Sequence, residues 1–277
     1  MQFGEPEFVT VDQRRLAYEE VSPSDAERTV LLLCGIGAKR QGWYKQLPVL
    51  GRHFRTLALD YRDVGDSDLA GEQYSIADLS DDVIGLAREL GIQRASLVGI
   101  SMGGFISLEL ALRAPEFVDR LILVVTSAGG ATHVSTSPEI MQLLLPPQGQ
   151  EEETGEGARR VCSAVAGPGF AERHPEAIEE FVEIARHNPM RREAYLRQLT
   201  ACRAHDVAAR LDRIRAPTLV IHGDADPLVR IENGRYLGAN IRDAKLIVYE
   251  GVGHIPEVEC FEQFNDDLIA FLSKEGP

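Results

Sequence analysis

Short unbroken runs of Leu, Val and Ile alternate along this chain with longer stretches of helical period. The apolar runs are Thr29–Cys34 (TVLLLC), Phe54–Asp60 (FRTLALD), Ala95–Ile100 (ASLVGI), Arg120–Thr126 (RLILVVT), Pro217–His222 (PTLVIH) and Ala244–Tyr249 (AKLIVY). Continuous apolar runs of this length predict strands covered on both faces, the situation of a parallel sheet. Ahead of them, Phe8–Val11 and Leu16–Val21 predict an antiparallel pair that turns near Asp12 and Gln13. Between the runs, Ile76, Leu79, Val83, Leu86, Ala87 and Leu90 recur at spacings of three and four, which predicts a helix from Ser75 to Leu90. Ser75 is suited to the N-cap and Gly91 to the stop. The segment from Met102 to Ala114 is apolar nearly all round, so a buried helix is expected there, ended by Pro115. Strand, helix and strand at these spacings imply right-handed crossovers and a mostly parallel sheet of eight strands flanked by helices.

The alternation stops after the fourth of these runs. From residue 127 to residue 210 no strand is predicted, and Gly129, Gly130, Pro138, Pro146, Pro147, Gly155 and Gly157 punctuate short helical pieces. Gln150–Gly157 (QEEETGEG) reads as a polar, acidic loop, and His174–Asn188 and Met190–Ala204 read as amphipathic helices. The strands then resume, with a helix near Ile231–Leu237 and a last one over Glu259–Leu272. The expected organisation is an α/β core of residues 1–126 and 211–277, with residues 127–210 inserted as a helical cap.

The 277 residues suffice for one large α/β domain of this kind. A formal net charge of −14 argues against nucleic acid as a partner, because such binders need a basic stripe to displace counterions. No apolar run approaches the roughly 18 residues that span a bilayer, and the N-terminus lacks a basic stretch followed by an apolar one, so no membrane partner and a cytoplasmic location are expected. The four cysteines form no C-x-x-C pair and read as reduced thiols. The seven histidines are scattered without H-E-x-x-H, so no metal site is expected. The oligomeric state stays open between monomer and homodimer.

The chemistry concentrates in three places. Gly99-Ile100-Ser101-Met102-Gly103 lies between a buried strand and a buried helix, the setting of a nucleophile elbow. There the chain reverses sharply, glycines relieve the clash of strand against helix, and the hydroxyl is presented at a helix N-terminus whose partial positive charge favours an anionic intermediate. A serine hydroxyl needs a base. His254 follows the last strand, and loops at the carboxyl ends of parallel strands converge on one crevice. An acid to orient the imidazole lies in His222–Asp226 (HGDAD), where Asp224 and Asp226 both qualify and Asp226 is preferred.

On these motifs the chain resembles the α/β-hydrolase superfamily, near its bacterial esterase, 3-oxoadipate enol-lactonase and cofactor-free haloperoxidase branch. The resemblance is carried by Leu31–Trp43, Asp60–Asp68 (DYRDVGDSD), Gly99–Gly104, His222–Asp226 and Gly251–Glu259, and the order Ser, Asp, His is that of the superfamily. It implies an α/β-hydrolase fold, a catalytic triad of Ser101, Asp226 and His254, an oxyanion hole made by the backbone N–H groups of Ile36 and Met102, and no cofactor. Two positions depart from the pattern. Cys34-Gly35 stands where His-Gly is usual, which puts the bracing of the oxyanion loop in question. Asp63 stands where glycine is expected, which either reshapes the loop from Asp60 to Asp68 or adds an exposed charge.

The expected activity is cleavage of small-molecule carboxylic esters or lactones through an acyl-enzyme. The alternatives are a C–C bond hydrolase or hydroxynitrile-lyase-like enzyme on the same fold, and a non-catalytic small-ligand binder. A dinucleotide fold is disfavoured because Arg40 stands where G-x-G-x-x-G needs its third glycine. Trp43, Met141, Leu144 and Phe170 are the expected lining of the substrate pocket.

Overall fold

The structure is a computed structural model that describes residues 4–143, 145 and 154–274. The eight strands are β1 (Glu7–Val11), β2 (Arg14–Val21), β3 (Thr29–Leu33), β4 (Arg55–Leu59), β5 (Ala95–Ile100), β6 (Val118–Val124), β7 (Thr218–Gly223) and β8 (Lys245–Tyr249). They form one sheet in the order β1-β2-β4-β3-β5-β6-β7-β8. Only the β1–β2 and β2–β4 pairings are antiparallel, so β2 alone runs against the other strands, and β3 to β8 are mutually parallel. The turn joining β1 to β2 is made by Asp12 and Gln13, both at positive φ, the backbone twist that a two-residue hairpin requires.

The unbroken Leu and Val runs end up in the middle of this sheet. Val30 to Leu33, Leu97, Val98 and Leu121 to Val124 are fully buried. Helices α1 (Leu47–Leu50), α2 (Ile76–Glu89) and α3 (Met102–Arg113) cover the first part of the sheet. Ser75 caps α2 with a reciprocal box, in which its Oγ accepts the Asp78 N–H while the Asp78 carboxylate accepts the Ser75 N–H.

Between β6 and β7 the chain leaves the sheet and builds α4 (Pro138–Leu143), α5 (Thr154–Val165), α6 (Phe170–Arg173), α7 (Pro175–Arg186) and α8 (Arg192–Ala204). It then returns through β7 to α9 (Ile231–Asn240), β8, α10 (Pro256–Glu259) and α11 (Phe261–Leu272). The expected last helix is α11, which starts two residues later than expected, and a short helix not expected from the sequence, α10, precedes it. Part of the expected acidic loop is also helix, since α5 begins at Thr154; the remainder, from residue 150 to 153, lies outside the described residues. The two ends of the helical excursion meet where Gly129 bridges Asp206 and the Val207 N–H donates to the Ala128 carbonyl at 2.9 Å. Inside the excursion, Cys162, Val165, Phe170 and Ile178 form an apolar cluster, which Ile255 and Val258 join from the core.

Polar contacts tie the excursion to the loops after β3 and β4. Asp63 takes the left-handed backbone conformation, with φ of 72°, that the expected glycine would have supplied. Asp and Asn tolerate this region better than other side chains. Its charge is not exposed: Asp63 is 3% accessible and accepts two hydrogen bonds of 2.8 Å from the Arg197 guanidinium of α8. Of the two readings of this position, neither holds: the loop keeps its glycine-like backbone and the charge becomes a buried link between core and excursion.

Beneath the loop after β3, Arg40 and Asp60 form a fully enclosed ion pair, 1% and 0% accessible. Asp60 also accepts the backbone N–H groups of Arg40 and Asp66, at 2.7 and 3.1 Å. Breaking such a pair by removing one partner leaves an uncompensated charge in the interior. Arg40→Met is therefore expected to lower the unfolding free energy by about 3–5 kcal/mol, and the double variant Arg40→Met/Asp60→Leu by less than the sum of the single changes. Urea denaturation of the four proteins reads this coupling; additive losses would count against it.

Candidate active site

The order of the strands fixes where a site can form. From β3 the chain moves outward to β4, and from β4 it crosses back to β5 on the other side of β3. The loops after β3 and β5 thus diverge at one point and leave a crevice at the carboxyl edge of the sheet. Ser101 sits there, between β5 and α3, with φ of 53° and ψ of −114°. A residue with a side chain holds such a conformation only where its surroundings force it. The forcing is visible: a Cβ on Gly103 would lie 2.1 Å from the Leu33 carbonyl oxygen, and one on Gly99 would lie 2.3 Å from the Gly103 carbonyl oxygen. Strand and helix approach so closely that only glycine fits on either side of Ser101. The Thr126 hydroxyl also holds the Ser101 carbonyl, at 2.8 Å. The Met102 N–H is the first of α3 and has no carbonyl of its own helix to meet.

His254 leaves the sheet after β8, and its own N–H is pinned to the Val165 carbonyl of α5 at 2.8 Å. Its ring is nearly buried, and Nδ1 meets Oδ2 of Asp226 at 2.7 Å. The other Asp226 oxygen accepts the Leu228 and Val229 N–H groups at 2.8 and 2.9 Å, which fixes the carboxylate plane. Asp224, the other acid in the motif, is exposed and turns away to accept the Gly251 N–H at 2.7 Å. Tertiary contacts therefore separate two carboxylates that the motif alone left as rivals.

Ser101 and His254 open on the same cavity of about 450 Å³. No direct hydrogen bond joins their side chains, and both line the cavity. Cys34 to Lys39 form one wall, and Ile36 is among its lining residues. Val161, Phe181, Ile184 and Tyr195 from the excursion form the facing wall, and Trp43 and Val258 close the side. Of the four expected lining residues, Trp43 lines the cavity. Phe170 does not: it is buried in the excursion's own cluster and tilts against His174. Met141 lies outside the lining as well, and Leu144 is not among the described residues. Phe181 and Ile184 instead come from the apolar face of α7, whose amphipathic pattern was readable although the direction of that face was not.

Two charged groups in the wall had no sequence signal. Lys39 is buried and donates to the carbonyls of His187 and, at 3.0 Å, Asn188; burial draws its pKa down to about 8. Glu257 has one carboxyl oxygen buried without a partner, and burial pushes its pKa up to about 7 despite the nearby His254. All four cysteines are free thiols, and no group of three or more His, Cys, Asp or Glu among the described residues is placed to hold a metal ion. No helix among the described residues is long and apolar enough to cross a membrane.

A parallel sheet with a strained serine turn, a His–Asp pair and a helical excursion over the cavity is the architecture of an α/β hydrolase. The α/β-hydrolase fold family model matches residues 28–259, and the chain belongs to that family as a hydrolase. It is 32% identical over 263 residues to the putative carbamate hydrolase RutD of Variovorax paradoxus, covering 94% of this chain and 96% of that one. It is 28% identical over 269 residues to 3-oxoadipate enol-lactonase 2 of Acinetobacter baylyi, with 96% of each covered. Among solved structures, the enol-lactonase of Burkholderia xenovorans LB400 superposes with a TM-score of 0.84 at 27% identity, over 97% of this chain and all of that one.

Proposed function

We propose that this hydrolase cleaves small carboxylic esters or lactones, with Ser101 as nucleophile, His254 as general base and Asp226 as the acid that orients it. The observation that carries this reading is the 2.7 Å contact of Asp226 with His254 Nδ1, made in the cavity into which the strained Ser101 turn opens. With Nδ1–H donated to Asp226, the other ring nitrogen is left to accept the serine proton. The Ser101 oxygen attacks the carbonyl carbon as His254 takes its proton, and the Ile36 and Met102 N–H groups hold the oxyanion. The carbon–oxygen bond to the alcohol then breaks, and His254 returns the proton to the departing oxygen. Water, deprotonated by the same ring, releases the acid and regenerates Ser101.

The apolar excursion wall suits an alkyl or aryl acyl group, and the resemblance to enol-lactonases supports lactones within the same chemistry. A carbamate is the second reading, favoured by the carbamate-hydrolase relatives and by Glu257, whose carboxyl group in the wall suits a substrate N–H. A panel of p-nitrophenyl esters of rising acyl length, several γ-lactones and an N-unsubstituted carbamate separates these readings. Ester or lactone turnover at least tenfold above that of the carbamate is expected, and the reverse order would favour the second.

The reading also fixes a pH dependence. Burial by itself would lower the His254 pKa, but the Asp226 charge and hydrogen bond, helped by Glu257 and Glu259, outweigh it and hold the pKa above the ordinary 6.5. Only the neutral ring accepts the serine proton, so kcat/KM is expected to rise with pH through an apparent pKa above 6.5 and then level off. Glu257→Gln removes one of the raising charges and is expected to shift this limb to lower pH. A profile that is flat between pH 5 and 9 would remove His254 from the role of base.

A further inference from the structure

We infer that Gln198 of α8, a residue of the helical excursion, is a positioning residue for the reaction at Ser101: it sets the orientation of the Ile36 N–H by holding the next peptide of the loop. The inference rests on the reading of Ser101 and Ile36 given above.

The Ile36 N–H is useful only if it points at the developing oxyanion, and two peptide planes decide this. The plane that contains the Ile36 N–H also contains the Gly35 carbonyl, which accepts the Ala38 N–H at 3.2 Å. The following plane contains the Gly37 N–H, which donates to Gln198 Oε1 at 2.8 Å. Gln198 is completely inaccessible, so no solvent replaces this bond if it is lost. Gly37 itself is in the left-handed region, with φ of 69°, and Tyr195, one turn earlier on α8, packs against it closely enough that a Cβ there would lie 3.2 Å from the ring.

Apart from the Gly35–Ala38 bond, the contacts of the loop with itself and with the core hold its ends. The Cys34 side chain reaches the Lys39 carbonyl within the same loop, at 3.2 Å, and Tyr61 holds the Cys34 carbonyl at 3.3 Å. At its far end, Lys39 is anchored on excursion carbonyls. The middle of the loop is therefore braced by α8, and an amide in the excursion acts on the reaction through the backbone of Gly37.

Gln198→Met keeps the length of the side chain and removes the acceptor; Gln198→Glu keeps an acceptor oxygen. Gln73→Ala is the control, because it deletes a different bond between core and α8, that of the Gln73 side chain to the Arg197 carbonyl. On a p-nitrophenyl ester, Gln198→Met is expected to lower kcat about 10- to 100-fold with KM within twofold, since a displaced oxyanion donor is felt mainly in the transition state. The rate of covalent inactivation by a fluorophosphonate should fall in parallel. Gln198→Glu should return both rates to within about threefold of the parent, and Gln73→Ala should leave them unchanged. Equal inactivation rates for parent and Gln198→Met overturn the inference alone. A parent protein that does not react with the fluorophosphonate overturns the reading of Ser101 and the inference with it. Amide exchange in the parent supplies a check that needs no variant: the Gly37 N–H should be strongly protected, and rapid exchange there overturns the brace.

Discussion

Ser101→Ala is expected to lower kcat by about four to six powers of ten while the protein remains folded. The size of the effect follows from the chemistry: without the hydroxyl there is no acyl-enzyme, and only binding and the oxyanion donors remain to accelerate attack by water. That the fold survives follows from the geometry. The strain at this position comes from the backbone, through Gly99 and Gly103 on either side, and alanine occupies the same space as far as Cβ. The bonds that hold the turn use the Ser101 backbone, to Val124 and Thr126, and are untouched. A thermal midpoint within a few degrees of the parent, with loss of both turnover and fluorophosphonate labelling, is the expected pair of results. Retention of more than a few per cent of the activity in the folded variant would falsify the assignment of Ser101.

Asp226→Asn is expected to cost about 10⁴-fold in kcat, and Asp224→Asn less than tenfold. One oxygen of residue 226 accepts the Leu228 and Val229 N–H groups, so an asparagine there keeps its carbonyl oxygen on that side. Its NH₂ then faces His254 Nδ1, which must become the acceptor. The ring proton moves to the other nitrogen, and the base can no longer take a proton from Ser101. Asp224 has no contact with the ring; its carboxylate ties the Gly251 N–H, so its replacement is expected to act on stability, through the turn that leads to His254. Steady-state kinetics and thermal melts of the two variants, compared at one pH above the His254 limb, read the difference. If Asp224→Asn is the more damaging to kcat, the acid is the other carboxylate.

Both predictions concern residues found by local pattern, and the reason is physical. The Ser101 turn is specified within five residues, since glycines are needed wherever strand and helix close to van der Waals contact, and flanking apolar runs announce the strand and the helix. The sheet was readable for a similar reason: Thr29–Cys34 and Ala95–Ile100 are apolar without alternation, and only burial on both faces accounts for that. The motif around Asp226, by contrast, left Asp224 in contention. Two carboxylates two residues apart on a loop differ only in where the surrounding N–H groups and the His254 ring lie.

The sequence marks the excursion as a helical cap, but not which of its side chains line the cavity. Of the two aromatic side chains expected to line the pocket, Trp43 does, whereas Phe170 packs among Cys162, Val165 and Ile178, and Phe181 lines the cavity instead. An amphipathic helix reveals that it has an apolar face, and only its neighbours decide whether that face meets a core or a cavity. Asp63 looked like a broken glycine position, because the guanidinium that neutralises it stands 134 residues away in the chain. Gln198 and Lys39 carry no local signal for the same reason, since Gly37 and the His187 and Asn188 carbonyls stand far from them in the chain. Short-range regularities, in backbone sterics and in the period of burial, are written in the sequence and fixed the fold and the Ser101 turn. Pairings between polar groups far apart in the chain depend on a few ångströms of separation that only the folded chain sets, and those pairings decide which carboxylate meets His254, which groups wall the cavity and what braces the loop after β3.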